Sequence, residues 1–237
     1  MTARAQWRGR PLIAVLFDLD GTLFDTAGDI TLALNRATAE FGWAPIAEEV
    51  VRRLVGRGSP MLLRRAAQTL GRDADEATYA VMLERFFHHY AALEASGECA
   101  AMPYDGAVAG LDRLHAAGLK IAVVTNKHHR FAAALVRLRG LSACIDLIVG
   151  GDTCERRKPD PEPLWYACTA LNAPAAAALM VGDSTNDVEA ARAAGIPVIC
   201  VPYGYNEGRD PRVLPCDALI ESLAELPALL LGESARA

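Results

Sequence analysis

Five short runs dominated by Val, Ile, Leu, Ala or Phe punctuate the chain, at residues 12–17, 121–124, 145–149, 178–181 and 197–201. None shows the strict alternation of a half-exposed strand, so each reads as a strand buried on both faces. Between them the apolar spacing changes to that of amphipathic helices, at 105–117, 129–138, 161–171 and 186–194. Gly118, Gly140 and Gly195 stand where those helices should end, the usual place for a residue that accepts the left-handed conformation. Such alternation predicts an α/β fold, a parallel sheet with right-handed crossovers and helices on both faces.

Residues 24–97 break this rhythm. They hold no convincing strand and read instead as consecutive amphipathic helices at 29–41, 48–54, 59–70 and 75–93. Ser59-Pro60 looks like a helix start, a cap residue followed by proline at the first position. The organisation predicted is a core of residues 1–23 and 98–237, with residues 24–97 inserted after the first strand as a helical lobe over the sheet's carboxyl edge. No internal repeat or low-complexity tract appears, and the tail after Ser234 is expected to fray.

Composition adds limits. The chain has 237 residues, 52% apolar and 22% charged, an ordinary globular balance. A formal net charge of −5, with no basic stripe, argues against nucleic acid and anionic membranes as partners but leaves room for a small anionic substrate. The run at 12–17 is too short for a signal-peptide core or a membrane span, so a soluble cytoplasmic protein, monomer or homodimer, is expected. Six scattered cysteines form no C-x-x-C pair, which favours reduced thiols over disulfides or zinc.

The chemistry gathers where the strands should end, the edge at which open α/β sheets bind ligands. Asp18-Leu19-Asp20-Gly21-Thr22 follows the first strand, and Asp18 and Asp20 point the same way if the strand continues. Paired carboxylates are costly unless a cation relieves them, and Mg²⁺ suits an all-oxygen site. Asp183 ends another apolar strand, and Asp187 opens the next helix, a position that fits a cap as well as a metal site. Thr125 and Asn126 end the second core strand; either could be a helix cap. Lys158, in Lys-Pro-Asp-Pro, would alone be read as surface. Together, three acids supply a metal site while Thr125, Asn126 and Lys158 supply donors for phosphate oxygens, which are the parts phosphoryl transfer needs. An ionised carboxylate attacks phosphorus without first losing a proton.

These segments resemble the D-x-D-G-T, T/N, K-P and G-D-x-x-x-D motifs of the haloacid dehalogenase superfamily, in order and over nearly the whole chain. The helical insertion, the runs at 181–187 and 190–195, Thr125-Asn126-Lys127 and Tyr203-Gly204-Tyr205-Asn206 are similar to its phosphoglycolate phosphatase subgroup. The resemblance implies a Rossmann-like core with an α-helical cap, Mg²⁺ as cofactor, and hydrolysis of a small phosphate monoester, 2-phosphoglycolate first, through an aspartyl phosphate. It makes Asp18 the nucleophile and a metal ligand. Asp20 becomes the acid and base, with its backbone carbonyl on the metal; Asp183 is a direct ligand, and Asp187 supports the ion through water. Thr125 and Asn126 hold phosphate, and Lys158 offsets the charge of nucleophile and phosphate. In the cap loop at 54–59, Arg57 would meet a substrate carboxylate, unless it simply faces solvent. Arg53 reads as helix surface, and His88 and His89 as packing or surface residues.

An acid at position 20 disfavours dehalogenation, and the absence of lysine from residues 24–97 removes the phosphonatase option. The remaining alternatives are a phosphatase of another sugar or nucleotide phosphate, and a sugar-phosphate mutase. A signalling receiver domain shares the Asp, Thr, Lys and Mg²⁺ set but has its acceptor on a later strand and lacks the helical lobe.

Overall fold

The structure is a computed structural model that describes residues 5–232; the tail after Ser234 lies outside the described residues. The chain opens with an antiparallel ladder of β1 (Gln6–Trp7) and β2 (Arg10–Pro11), followed by β3 (Ala14–Phe17) and β4 (Phe24–Asp25). Four helices come next: α1 (Ala27–Ala39), α2 (Glu48–Val51), α3 (Ser59–Thr69) and α4 (Glu76–Ser96). Then follow β5 (Met102–Pro103), α5 (Ala107–Ala116), β6 (Lys120–Val124), α6 (His129–Leu138), β7 (Leu147–Val149) and α7 (Glu162–Ala170). The last third contains β8 (Ala178–Gly182), α8 (Thr185–Ala194), β9 (Val198–Cys200), β10 (Ala218–Leu219) and α9 (Leu226–Leu231).

Six strands form one parallel sheet in the order β10-β9-β8-β3-β6-β7. Strand β3 lies between β6 and β8, with Phe17 opposite both Val123 and Val181. The chain leaves β3 toward β6 and β7, then returns to fill the other side, so strand order reverses beside β3. That is the switch point at which a crevice opens beyond the carboxyl ends. The period of two sorts the side chains cleanly. Val15, Phe17, Ile121, Val123, Leu179 and Val181 pack under α5, α6 and α9. Ala14, Leu16, Ala122, Val124 and Met180 meet α7 and α8 on the other face.

Helices α1 to α4 surround a separate apolar cluster that includes Ile30, Leu34, Leu63, Met82, Phe86 and Leu93. Both crossings between this cluster and the sheet are joined, because β4 and β5 pair antiparallel, Phe24 opposite Pro103. Two expectations need correction. Strand β7 begins at Leu147 rather than 145, and the preceding Asp146 instead accepts the Ile121 N–H at 2.8 Å. Helix α3 is capped not by Ser59 but by Gly58, at φ 80°, so Ser59 is its first helical residue and no side chain caps the helix. No helix among the described residues is long and apolar enough to cross a membrane. All six cysteines are free, and Cys144, Cys168 and Cys200 are buried.

Candidate active site

Asp18 takes over directly from β3, its N–H donating to the Val181 carbonyl at 2.9 Å, so its position is fixed by the sheet itself. Asp183 follows β8 in the same way, and Asp187 lies in the first turn of α8. One carboxylate oxygen from each of the three falls within 4.8 Å of the others. Burial pushes the Asp18 carboxyl up to about 7, with Asp187 and Asp20 adding to the rise and Lys158 opposing it. Burial, then Asp187 and Asp18, push Asp183 up to about 8. Crowded, buried, oxygen-only acids of this kind fit a hard divalent cation, whose charge offsets their repulsion.

Each acid is oriented by a different set of donors. Asp183 Oδ1 accepts the Thr22 hydroxyl at 2.9 Å and Oδ2 the Tyr205 N–H at 2.7 Å. Glycine makes that approach feasible: a Cβ on Gly204 would sit 2.2 Å from Asp183 Oδ2, and one on Gly21 2.5 Å. Asp187 is wholly buried and accepts four hydrogen bonds. The Asp183 N–H, the Ser184 N–H and the Ser184 hydroxyl meet Oδ2 at 3.2, 3.1 and 2.7 Å, and Lys158 Nζ meets Oδ1 at 2.7 Å. Three of these bonds fall on Oδ2 and one on Oδ1, and an Asp187 oxygen remains within 4.8 Å of those of Asp18 and Asp183.

Lys158 also reaches Asp18 Oδ1 at 2.8 Å and is 3% exposed. Burial works against its charge, but Asp18 and Asp187 outweigh burial and hold it protonated beyond the ordinary lysine range. Far from being surface, it bridges the nucleophile candidate and the acid that braces Asp183. The Asp20 side chain is not one of the three whose oxygens cluster. Its Oδ1 accepts Thr26 Oγ1 at 2.7 Å and Lys127 Nζ at 3.2 Å.

Thr125 follows β6 directly and is buried, its hydroxyl accepting the Lys127 N–H at 3.2 Å. Asn126 is committed in an unforeseen way: its Nδ2 donates at 2.8 Å both to the Lys158 carbonyl and to the Gly56 carbonyl in the loop before α3. Its side-chain N–H groups therefore fasten that loop to the core, and the backbone N–H is what it can offer a phosphate. Arg57 does not line the cavity. Its Nε lies 2.7 Å from Glu207 Oε1, an acid that Arg65 also contacts at 2.7 Å. Burial disfavours the charge of Glu207, yet Arg65 and Arg57 together hold its carboxyl below the usual range. Arg53 and His88 are exposed, and His89 pairs with Glu40 at 2.6 Å.

A cavity opens over Asp18, Asp20, Thr125, Asn126 and Lys127 and is closed on its far side by Ile30, Val55, Leu62, Phe86, Tyr90 and Phe131. Sequence reasoning passed over Lys127, Tyr90, Thr22 and Tyr205. The runs Asp18–Thr22, Thr125–Lys127 and Tyr203–Asn206 carried Thr22, Lys127 and Tyr205 through their likeness to the family, and nothing in the sequence marked Tyr90.

Comparison with known proteins agrees with this geometry. The family model described as haloacid dehalogenase-like hydrolase matches residues 15–201. The phosphoglycolate phosphatase (plasmid) of Cupriavidus necator is 46% identical over 93% of this chain and 94% of its own length. That of Thiobacillus denitrificans is 41% identical over 91% and 94%. A crystal structure of a predicted phosphoglycolate phosphatase from Haemophilus somnus superposes with a TM-score of 0.84 at 27% identity, covering 91% of this chain and 96% of that one. With the parallel sheet, its switch point and the acids at β3 and β8 in place, the chain belongs to the haloacid dehalogenase-like hydrolases.

Proposed function

We propose that the chain is a cytoplasmic, Mg²⁺-dependent phosphatase of small phosphate monoesters, that 2-phosphoglycolate is its substrate, and that residues 24–97 act as its cap. The observation that carries this reading is the convergence of Asp18, Asp183 and Asp187 at one end of the sheet, with Lys158 spanning Asp18 and Asp187 at 2.8 and 2.7 Å. The names borne by relatives at 41–46% identity support the choice of ester.

In this reading Asp18 attacks phosphorus with the oxygen not held by Lys158. The new Asp18–phosphorus bond forms as the ester P–O bond breaks, and Asp20 gives its proton to the departing oxygen. Water then attacks the aspartyl phosphate, Asp20 takes the proton back, and the bond to Asp18 breaks with release of phosphate. Thr125, the Asn126 backbone N–H and Lys158 bind the non-bridging oxygens, where their charge and dipoles count most in a site shielded from water. Mg²⁺, held by Asp18, Asp183 and the Asp20 carbonyl with Asp187 assisting through water, would neutralise charge on the phosphoryl group.

A phosphate-release screen over many monoesters, 2-phosphoglycolate and common sugar and nucleotide phosphates among them, tests the substrate. Asp18→Asn should lose turnover on all of them while keeping its far-UV circular dichroism, and EDTA should stop the wild type until Mg²⁺ is restored. Phosphate release by Asp18→Asn at more than about a hundredth of the wild-type rate would defeat the covalent route.

A further inference from the structure

The far wall of the cavity is mostly hydrocarbon, supplied by Ile30, Val55, Leu62, Phe86 and Phe131. Three polar features interrupt it, and nothing in the chemistry at phosphorus uses them. The first is Lys127, 8% exposed, whose ammonium lies 3.2 Å from Asp20 Oδ1 and 4.5 Å from the centre of the Tyr90 ring. An ammonium has three N–H donors, and Asp20 takes one. The second is the Tyr90 hydroxyl, on a side chain 2% exposed, which lies beside the Lys127 ammonium and finds no acceptor for its own proton. A buried hydroxyl left unpaired costs about 1–3 kcal/mol, a cost that an arriving acceptor would remove. The third is the N-terminus of α3, an 11-residue helix that no side chain caps, with Gly56, Gly58 and Ser59 all lining the cavity. Its first-turn N–H groups lack intrahelical acceptors and favour an anion.

Among the described residues that line the cavity, Lys127 is the sole cation. Arg57, the expected partner of a substrate carboxylate, is held outside by Glu207. We propose that Lys127, the Tyr90 hydroxyl and Ser59 with the first turn of α3 form a carboxylate subsite, which makes this enzyme select phosphate monoesters of short hydroxy acids. The three features come from separate elements, β6–α6, α4 and α3, and surround a space that the apolar residues keep small. A carboxylate matches them, because its two oxygens offer enough acceptor sites for an ammonium, a phenol and helix N–H groups together.

The inference rests on the phosphatase reading, and its test separates the two. Ethyl phosphate has the two-carbon frame of 2-phosphoglycolate without the carboxylate. The wild type should prefer 2-phosphoglycolate by about a hundredfold in kcat/KM, and Tyr90→Phe should cut that preference about tenfold, mostly through KM, as expected for a hydrogen bond to a charged group. Lys127→Met should abolish the preference. An equal preference in wild type and both variants would overturn the subsite while leaving the phosphatase standing. Calorimetry with glycolate and with ethanol, which needs no turnover, decides the matter even if neither ester is hydrolysed. Wild type should bind glycolate and not ethanol, with Tyr90→Phe several-fold weaker, and equal binding of the two by wild type would sink the proposal.

Discussion

At the scale of single residues the site depends on atoms that are missing. Gly204 is the sharpest case, since a methyl group there would sit 2.2 Å from both Cβ and Oδ2 of Asp183. Asp183 has nowhere to go without breaking its bonds to Thr22 and Tyr205. Gly204→Ala should therefore displace a carboxylate we assign to the metal, cutting kcat/KM about 10²-fold, the scale on which a misplacement of about 1 Å acts. The Mg²⁺ concentration for half-maximal rate should rise with it. Wild-type Mg²⁺ dependence in Gly204→Ala would show that Asp183 does not hold the ion. Asp18 and Asp183 were legible because each ends an apolar strand. Lys127 and Tyr205 were not, because their partners Asp20 and Asp25 lie 107 and 180 positions away and no local pattern announces such a pairing.

Elements show the same division. Strands β3, β6 and β8 carry four or five consecutive buried residues, and the sequence marks them plainly. The pairs β1, β2, β4, β5 and β10 have two residues each, too few for any periodicity, and exist only because a neighbouring backbone supplies partners. Helix α1 illustrates how an element's end can depend on a distant loop. Its N-cap, Thr26, makes no capping bond with its own side chain. Instead the Tyr205 hydroxyl accepts the N–H groups of Thr26 and Ala27 at 2.7 and 3.0 Å and donates to Asp25 at 2.8 Å. That loop runs on into Asn206 and Glu207, both non-glycine residues at positive φ. Tyr205→Phe would leave the buried Thr26 N–H unpaired and Ala27 with only its 3.3 Å bond to Asp25, and should cost about 1–3 kcal/mol, read as a lower urea midpoint with an unchanged m-value. Because Thr26 also holds Asp20 at 2.7 Å, turnover should fall alongside. A midpoint shift worth less than about 0.5 kcal/mol would mean that the hydroxyl does not cap α1.

For the molecule as a whole, the acid cluster ties stability to pH and to the cation. Asp18 and Asp183 rise from the ordinary 3.8 to about 7 and about 8 in the folded protein. Between roughly pH 4 and pH 8 the metal-free native state therefore keeps protons that the unfolded chain has released. Each such proton makes unfolding easier by about 1.4 kcal/mol per pH unit as pH rises. Their contribution is thus fully present below the unfolded value of 3.8, declines as pH rises from there, and is lost once pH passes the folded values of about 7 and about 8. Asp25 and Asp217 move the opposite way, below the usual carboxylate range. They are ionised in both states through this window, so their stabilisation is constant across it and is lost only as pH falls below it. A cation binds the ionised acids, so its stabilisation grows with pH and works against the slope. Thermal melts in EDTA should consequently give a lower Tm at pH 8 than at pH 5.5, and Mg²⁺ should raise Tm far more at pH 8 than at pH 5.5. Asp183→Asn, which removes one of the two titrating acids, should flatten the EDTA series. If metal-free wild type melts at the same temperature across that range, the acids are not driven together by the fold as described, and their suitability for a metal loses its physical basis.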